Sequence, residues 1–380
     1  MKILCVDIGT GTQDILLFDS QVDVENSYKL ILPSPTLLVR RRLHLAAKAK
    51  KDVLLSGVIM GGGPSGWGVS DHIQQRLKVY ATREAALSFD DDLAAVQASG
   101  VILVSADEAL NLPKSVQSIH MCDFDFQAIQ RAFALFDVTL EDLTAVAIAV
   151  FDHGNAPLDI SDRKFRFDYL DQRIRAENRL SAFAYSANSV PPAMTRLQAV
   201  VASSQDIPAQ VVVMDTAPAA ILGSTLDPQT RRHDRNLFLN IGNMHVLGFR
   251  LGPTGIEGVF EHHTHLLDSS HLGELLFHFA DSSLTNEEVF SNQGHGALVY
   301  DPAPLPMDFE DYNLVVTGPR RNLLLGSPLK PYFAAPYGDM MLAGCYGLLQ
   351  ATADVLPDMA EPILAALAGK NKPKAPWETD

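Results

Sequence analysis

One short pattern occurs twice along this chain: an apolar strand that runs into a polar residue, a glycine turn and a second apolar strand. In the first copy Ile3, Leu4 and Val6 lead to Asp7, then Gly9-Thr10-Gly11-Thr12-Gln13, then Ile15-Leu16-Leu17-Phe18. In the second, Leu237-Phe238-Leu239 leads to Asn240, then Ile241-Gly242-Asn243-Met244, then Val246-Leu247. Each reads as an antiparallel hairpin with a tight turn, and each is followed by a third apolar stretch, over 27–32 and 258–265. A plain hairpin needs no acid before its turn and no pair of threonines within it. Glycine can take positive φ, which lets turn amides point inward at an anion. The hydroxyls of Thr10 and Thr12 add donors, and Asp7 is the type of group that holds a hydrated magnesium ion beside a phosphate. Two such meanders facing each other across a cleft can clamp one polyphosphate from both sides, which a single turn cannot do.

Between the two copies the pattern alternates strands and helices, as in an α/β protein. A helix is expected over 36–51, a strand over 53–60, and then helices near 70–77 and 91–98 with strands near 78–81 and 101–104. A helix over 125–136 precedes the apolar run Ala145 to Phe151, long enough and unbroken enough to be a strand buried on both faces. Residues 155–190 are polar and rich in Arg and Asp, which reads as an excursion from the core. A helix over 194–204, a strand over 210–214 and a small-residue helix through Ala219, Ala220 and Gly223 lead to the second meander. After it come a helix over 269–280, a proline-rich loop near 301–308, a strand at Asn313–Val316 and a helix over 338–355. The residues from Gly369 hold Lys, Pro and polar side chains and read as a disordered tail.

Length and charge narrow the function. The 380 residues suffice for two or more cores. A formal charge of −15 disfavours nucleic acid and anionic membranes. No apolar run approaches the ~20 residues of a membrane span, and the first residues lack signal-peptide organisation. The three cysteines, Cys5, Cys122 and Cys345, are far apart and odd in number, which argues against a disulfide framework. The expectation is a cytoplasmic protein that takes a small phosphorylated ligand or nucleotide, with a partner protein also open.

Three further groups could carry chemistry. Asp152-His153-Gly154 ends the buried apolar run, and the carboxyl ends of strands line the ligand crevice in open α/β sheets. Asp152 could orient or deprotonate an attacking group and His153 could donate to a transferring oxygen; the alternative is a capping acid and a surface histidine. Gly61-Gly62-Gly63 follows a strand and is a second possible anion nest, or a topological turn. His262, His263 and His265 follow Glu261; on a strand His263 and His265 share a face and could bind a metal ion, or stand solvated on an edge.

The ordered set of motifs resembles the actin-like ATPase superfamily of sugar and acetate kinases, chaperone ATPases and actin. Asp7 to Phe18 looks like its first phosphate loop, Asn240 to Val246 like its second, and Val315-Val316-Thr317-Gly318-Pro319 like its adenosine turn. Asp215 to Gly223 and Gly338 to Gly347 look like its two hinge helices. More narrowly, Gly61-Gly62-Gly63-Pro64, Asp152-His153-Gly154, Ile241 to His245 and Tyr337 to Leu342 are similar to patterns of an uncharacterised prokaryotic family labelled as pyruvate formate-lyase activating enzymes. That label implies an iron–sulfur cluster on three closely spaced cysteines, which this chain lacks.

The resemblance implies two RNase H-like α/β halves around a central cleft. The first would span 1–215, with an inserted α/β segment at about 53–122 and the excursion at about 155–190; the second would span 216–368, and 369–380 would be the tail. It implies ATP with Mg2+, Asp7 as metal group, and Gly9, Thr10, Gly11, Thr12, Gln13, Gly242, Asn243, Gly318 and Pro319 around the nucleotide. The function implied is that of an ATP-dependent phosphotransferase or ATPase. Asp14 stands where kinase relatives usually carry Lys, Asn240 where many have Asp, and Pro319 where a second glycine is usual. Those departures fit a non-catalytic ligand-binding module as an alternative, and an ATP-driven activator of a partner enzyme is another.

Overall fold

The computed structural model describes residues 1–157, 159–307 and 313–378. Residue 308, at the end of the expected proline-rich loop, and 379–380 of the expected tail lie outside them.

The chain opens with strands β1 (Lys2–Ile8), β2 (Thr12–Asp19) and β3 (Tyr28–Pro33). It continues through β4 (Val53–Gly57), β5 (Val79–Ala81), β6 (Ile102–Leu103) and β7 (Gln117–Met121), then β8 (Leu143–Val150), β9 (Ala184–Ser186) and β10 (Gln210–Asp215). The second meander is β11 (Asn236–Ile241), β12 (His245–Gly252) and β13 (Gly255–His263), followed by β14 (Gly296–Val299), β15 (Leu314–Thr317) and β16 (Tyr332–Phe333).

The described residues form three sheets. The first runs β3-β2-β1-β8-β10-β9, the second β14-β13-β12-β11-β15-β16, and a four-stranded parallel sheet runs β6-β5-β4-β7. In both large sheets the first strand of a three-stranded antiparallel meander pairs on its other edge with a parallel strand, β8 beside β1 and β15 beside β11. The architecture is mixed α/β with several sheets.

Period-two alternation decides which way β1 packs. Ile3 and Cys5 enter a core shared by the two large sheets, whereas Leu4, Val6 and Ile8 enter a core on the opposite face of the first sheet. The shared core is built around two helices, Thr216–Ser224 and Ala343–Val355, whose glycines allow backbone contact. A Cβ on Gly223 would lie 1.7 Å from the Ala343 carbonyl, and one on Gly347 would lie 1.9 Å from that of Ala219. No side chain fits there, so the small residues are fixed by the crossing.

The structure differs from the sequence reading in four places. The stretch expected as an excursion over 155–190, of which residue 158 lies outside the described residues, packs on the core through the helix Asp162–Ala176, which buries Phe167 and the i, i+4, i+8 stripe Arg166, Leu170 and Ile174 hidden in polar composition. The strand β9 then pairs with β10. The strand expected over 53–60 stops at Gly57, whose φ of +125° ends the ladder. The last long helix starts at Ala343 rather than 338, because Tyr337 and Gly338 sit at φ +51° and +77°. After Gly369, Lys374 donates from its amide to the Gln21 carbonyl and from Nζ to Gln21 Oε1, so this stretch is tied to the first sheet rather than free.

Candidate functional site

The two glycine turns meet. A Cβ on Gly11 would lie 2.6 Å from Asn243 Nδ2, and Gly9, Thr10, Gly11, Thr12, Gly242 and Asn243 line one cleft. Gly318 and Pro319, after β15, line its opposite wall. Gly318, at φ +99°, lets that turn pass within 2.4 Å of the Ile241 carbonyl, measured from where a Cβ would be. Gly9 donates to the Thr12 carbonyl at 2.9 Å, and Gly242 to that of His245 at 2.8 Å, closing both turns in the same way. Among the described residues no hydrogen bond engages the amides of Thr10 and Gly11.

Gln13 is not part of this cleft. It alternates away from Asp14 along β2, and its Nε2 donates 3.1 Å to the Pro33 carbonyl on β3. The cofactor role expected of Gln13 is therefore corrected: its residue type was right for a phosphate contact, but the pleat aims it at the neighbouring strand.

Two acids form the cleft floor. Asp7 and Asp14 stand directly opposite in the β1–β2 register, so their side chains share a face. Thr216 Oγ1 donates to Asp7 Oδ1 at 2.5 Å, and a Cβ on Gly344 would lie 1.9 Å from Asp7 Oδ2. The absence of a side chain at Gly344 thus leaves the space the carboxylate occupies. Burial pushes Asp7 up to about 6, against the Thr216 hydrogen bond. Burial and the neighbouring Asp7 charge push Asp14 up to about 8. Asp14 Oδ1 is buried with no hydrogen-bond partner. Such an orphaned acceptor facing a second carboxylate is what a cation would satisfy, so the residues fit a magnesium ion between Asp7 and Asp14.

A second cavity adjoins the first, with Gly9, Thr10, Phe151, Arg196, Met244 and His245 lining both. Gly61, Gly62 and Gly63 line it at the start of the helix Gly63–Gln74, together with Asp152 and His153. Gly62 has ordinary helical angles; it is glycine because a Cβ would lie 2.1 Å from the Ser88 carbonyl. Arg196 beside Gly61 is already held by Asp123, at 2.6 and 3.0 Å, and by the Phe151 carbonyl at 2.6 Å.

Asp152 is committed to the backbone. Its Oδ1 accepts from Gly154 N and its Oδ2 from Leu197 N, both at 2.9 Å, so it ties the turn after β8 to the helix Thr195–Ala202. Those contacts are those of a structural cap rather than of a proton acceptor for substrate. Burial raises its pKa in spite of them.

The turn held by Asp152 places His153 in a cluster that the sequence did not announce. His153, His245 and His295 come from three separate elements, and one ligand atom of each lies within 4.8 Å of the others. Behind them Glu261 on β13 is fully buried. Its Oε1 is 3.1 Å from His245 Nδ1 and 3.7 Å from His295 Nε2, close contacts that fall short of hydrogen-bond alignment. Its Oε2 accepts from Arg166 Nε at 3.2 Å. Arg166 also pairs with Asp215, donates to the Asp152 carbonyl and lies over the Phe151 ring. Burial works against ionisation of Glu261, yet His295, Arg166 and His245 together hold its carboxyl well below the usual range. Burial pushes His295 down to about 3 and holds His153 well below its ordinary value.

Of the three adjacent histidines, His263 and His265 stand with their rings 5.7 Å apart, and His262 is engaged elsewhere. His262 is buried with Nε2 3.1 Å from the Asn292 carbonyl and Nδ1 3.3 Å from that of His263, and His265 is exposed. Only His263 of the three turns toward the cluster, its ring 4.7 Å from that of His295. Sequence reasoning also missed Arg166, Glu261 and His295. Gly294-His295-Gly296 was the one local signal, a histidine between two glycines.

The cysteines do not fit an iron–sulfur centre. Cys345 Sγ donates to the Asp14 carbonyl at 3.0 Å and lies 3.7 Å from that of Cys5, while Cys122 follows β7 of the small sheet. Among the described residues no metal-ligating group of three contains a cysteine.

Among the described residues no helix is long and apolar enough to cross a membrane. Similar solved structures include the Lmo2764 protein, "a putative N-acetylmannosamine kinase", from Listeria monocytogenes, at 10% identity over 92% of this chain and 99% of that one, with a TM-score of 0.31. The ROK hexokinase from Thermus thermophilus is 11% identical over 97% of this chain and 89% of that one, with a TM-score of 0.25. An exopolyphosphatase-like protein is 8% identical over 99% and 93%, with a TM-score of 0.27. Likenesses at that level carry no argument. No curated protein matches the chain. The profile of the family described as "Putative pyruvate format-lyase activating enzyme (DUF1786)" matches residues 60–323, and the chain belongs to that family.

Proposed function

We propose that this protein binds the phosphates of a nucleotide, ATP in the first instance, between its two glycine turns and transfers or hydrolyses the terminal phosphate. The observation that carries this reading is the contact of Gly11 with Asn243, which sets two similar hairpin turns on one cleft, above Asp7 and Asp14. The amides of Thr10 and Gly11 would take the phosphate oxygens, and Gly318 with Pro319 would border the base. The two large sheets then correspond to two RNase H-like halves, 1–215 and 216–368, with the small sheet as an insertion in the first. The helices Thr216–Ser224 and Ala343–Val355 form the hinge between them. A magnesium ion held by Asp7 and Asp14 would neutralise phosphate charge. Thr216 orients the Asp7 carboxylate, and Gly344 leaves it room. Phosphorylated small molecules are the class of partner that suits the adjoining cavity.

A second reading has its own support. Asp14 supplies no cation where an anion would bind, and Pro319 stiffens the turn at the base wall; both suit a module that binds a phosphorylated ligand without turnover. The radical activation that the family description implies finds no cysteine set to hold its cluster.

Calorimetry with ATP, with and without Mg2+, tests the proposal. Asp7→Ala should abolish Mg2+-dependent binding while leaving the melting temperature unchanged or raised, since a buried acid is removed. Absence of binding by the parent at about 1 mM ATP and Mg2+, a free energy of only about −4 kcal/mol, would refute it. Binding without phosphate release would favour the second reading.

A further inference from the structure

We propose that His153, His245 and His295 form a three-imidazole centre for a borderline divalent transition metal ion, with zinc as the probe, and with its fourth position open to the second cavity. The inference does not rest on nucleotide binding. Three donors come from the turn after β8, the start of β12 and the residue before β14, and their ligand atoms already lie within 4.8 Å of one another. Around a tetrahedral ion with Zn–N bonds of about 2.0–2.1 Å, those nitrogens stand roughly 3.4 Å apart. Small side-chain rotations close that gap.

The surroundings are those of a metal ligand set rather than of a packed core. Glu261 Oε1 faces His245 Nδ1 at 3.1 Å and His295 Nε2 at 3.7 Å. Both His245 Nδ1 and Glu261 Oε1 are left without a hydrogen-bond partner. His295 Nδ1 is buried and without a hydrogen-bond partner, although the residue is only 1% exposed. A carboxylate behind a histidine fixes its tautomer and raises its donor strength. Glu261 is itself held by Arg166, and Arg166 by Asp215, so two carboxylates share one guanidinium and the cluster accommodates added positive charge. Imidazole donors without thiolates suit zinc and its neighbours better than magnesium or calcium.

Three protein donors leave one coordination position. His153 and His245 line the second cavity beside Gly61, Gly62 and Gly63, so that position faces the space where a ligand oxygen or water would enter. His245 also lines the first cleft, which places the centre at the junction of the two.

The test uses the full chain, stripped with a chelator and titrated with Zn2+ against a chromophoric competitor, and separately with Co2+. The expected result is one Zn2+ per chain and a Co2+ adduct with the intense visible bands of a tetrahedral site. His153→Gln and His295→Gln should each weaken Zn2+ binding at least about 100-fold, and Glu261→Gln by about 10- to 100-fold. His265→Gln should leave the affinity unchanged. The proposal is overturned if the parent binds no stoichiometric Zn2+ at about 10 μM, or if folded His153→Gln and His295→Gln bind it as the parent does. Should those variants not fold, X-ray absorption on the zinc-loaded parent decides. Three imidazole shells near 2.0–2.1 Å support the centre, and any other donor set overturns it.

Discussion

Asp14→Asn separates the magnesium reading from a merely structural acid. In the absence of metal, burial and the adjacent Asp7 charge push Asp14 from its ordinary 3.8 to about 8. The folded chain therefore binds a proton that the unfolded chain gives up across that window, and stability falls as pH rises through it. The penalty is absent below pH 3.8 and complete above about 8. At 1.36 kcal/mol per pH unit, the interval amounts to on the order of 5 kcal/mol. Asparagine removes the titration but leaves an amide where Oδ1 had no partner, at about 1–3 kcal/mol at every pH.

The two stability curves should therefore cross. In EDTA, Asp14→Asn should be less stable than the parent at pH 4 and more stable at pH 8, as read by urea unfolding followed by circular dichroism. Adding Mg2+ at pH 8 should restore part of the parent's loss and do less for the variant, which keeps only Asp7 of the two carboxylates. Parallel curves from pH 4 to pH 8, or a variant that is less stable at both ends, would refute the argument. So would an equal response of both proteins to Mg2+.

Three further outcomes follow from the same contacts. Gly347→Ala should destabilise by about 1–3 kcal/mol despite the better helix propensity of alanine, because its Cβ would meet the Ala219 backbone at 1.9 Å; a higher melting temperature would show that the two helices do not cross so closely. Asp152→Asn should lower stability by about 1–3 kcal/mol, since an amide cannot accept from both Gly154 N and Leu197 N, while leaving turnover per folded molecule within a few-fold. A loss of a hundredfold or more would restore Asp152 as the base. Arg166→Met should cost about 3–5 kcal/mol by leaving Asp215 and Glu261 unpaired, and the double variant Arg166→Met with Glu261→Gln should recover part of it; no recovery would mean that Glu261 is not coupled to Arg166.

Local pattern alone determined much of this protein. Apolar runs placed β1, β2, β3, β11 and β12 within a few residues of their ends, because apolar side chains must be removed from water whatever the strand packs against. The glycines of both turns and the small residues at Ala219, Ala220 and Gly223 were equally legible, since turn geometry and close helix approach leave few other choices. The clash of Gly344 with Asp7 was not legible, nor was the face of Gln13, because register and crossing distance belong to pairs of elements.

The buried network was set by tertiary structure alone. Arg166 lies in a stretch that composition marks as surface, and it is buried because Asp215 from β10 and Glu261 from β13 meet it there. His153, His245 and His295 are distant in sequence and carry no shared spacing. Of the adjacent histidines at 262, 263 and 265, alternation along β13 turns His262 away from His263, and His265 lies in the short helical turn past the end of the strand. Sequence proximity cannot bring three imidazoles to one point when each is supplied by the end of a different strand; only the packing of the two sheets does so.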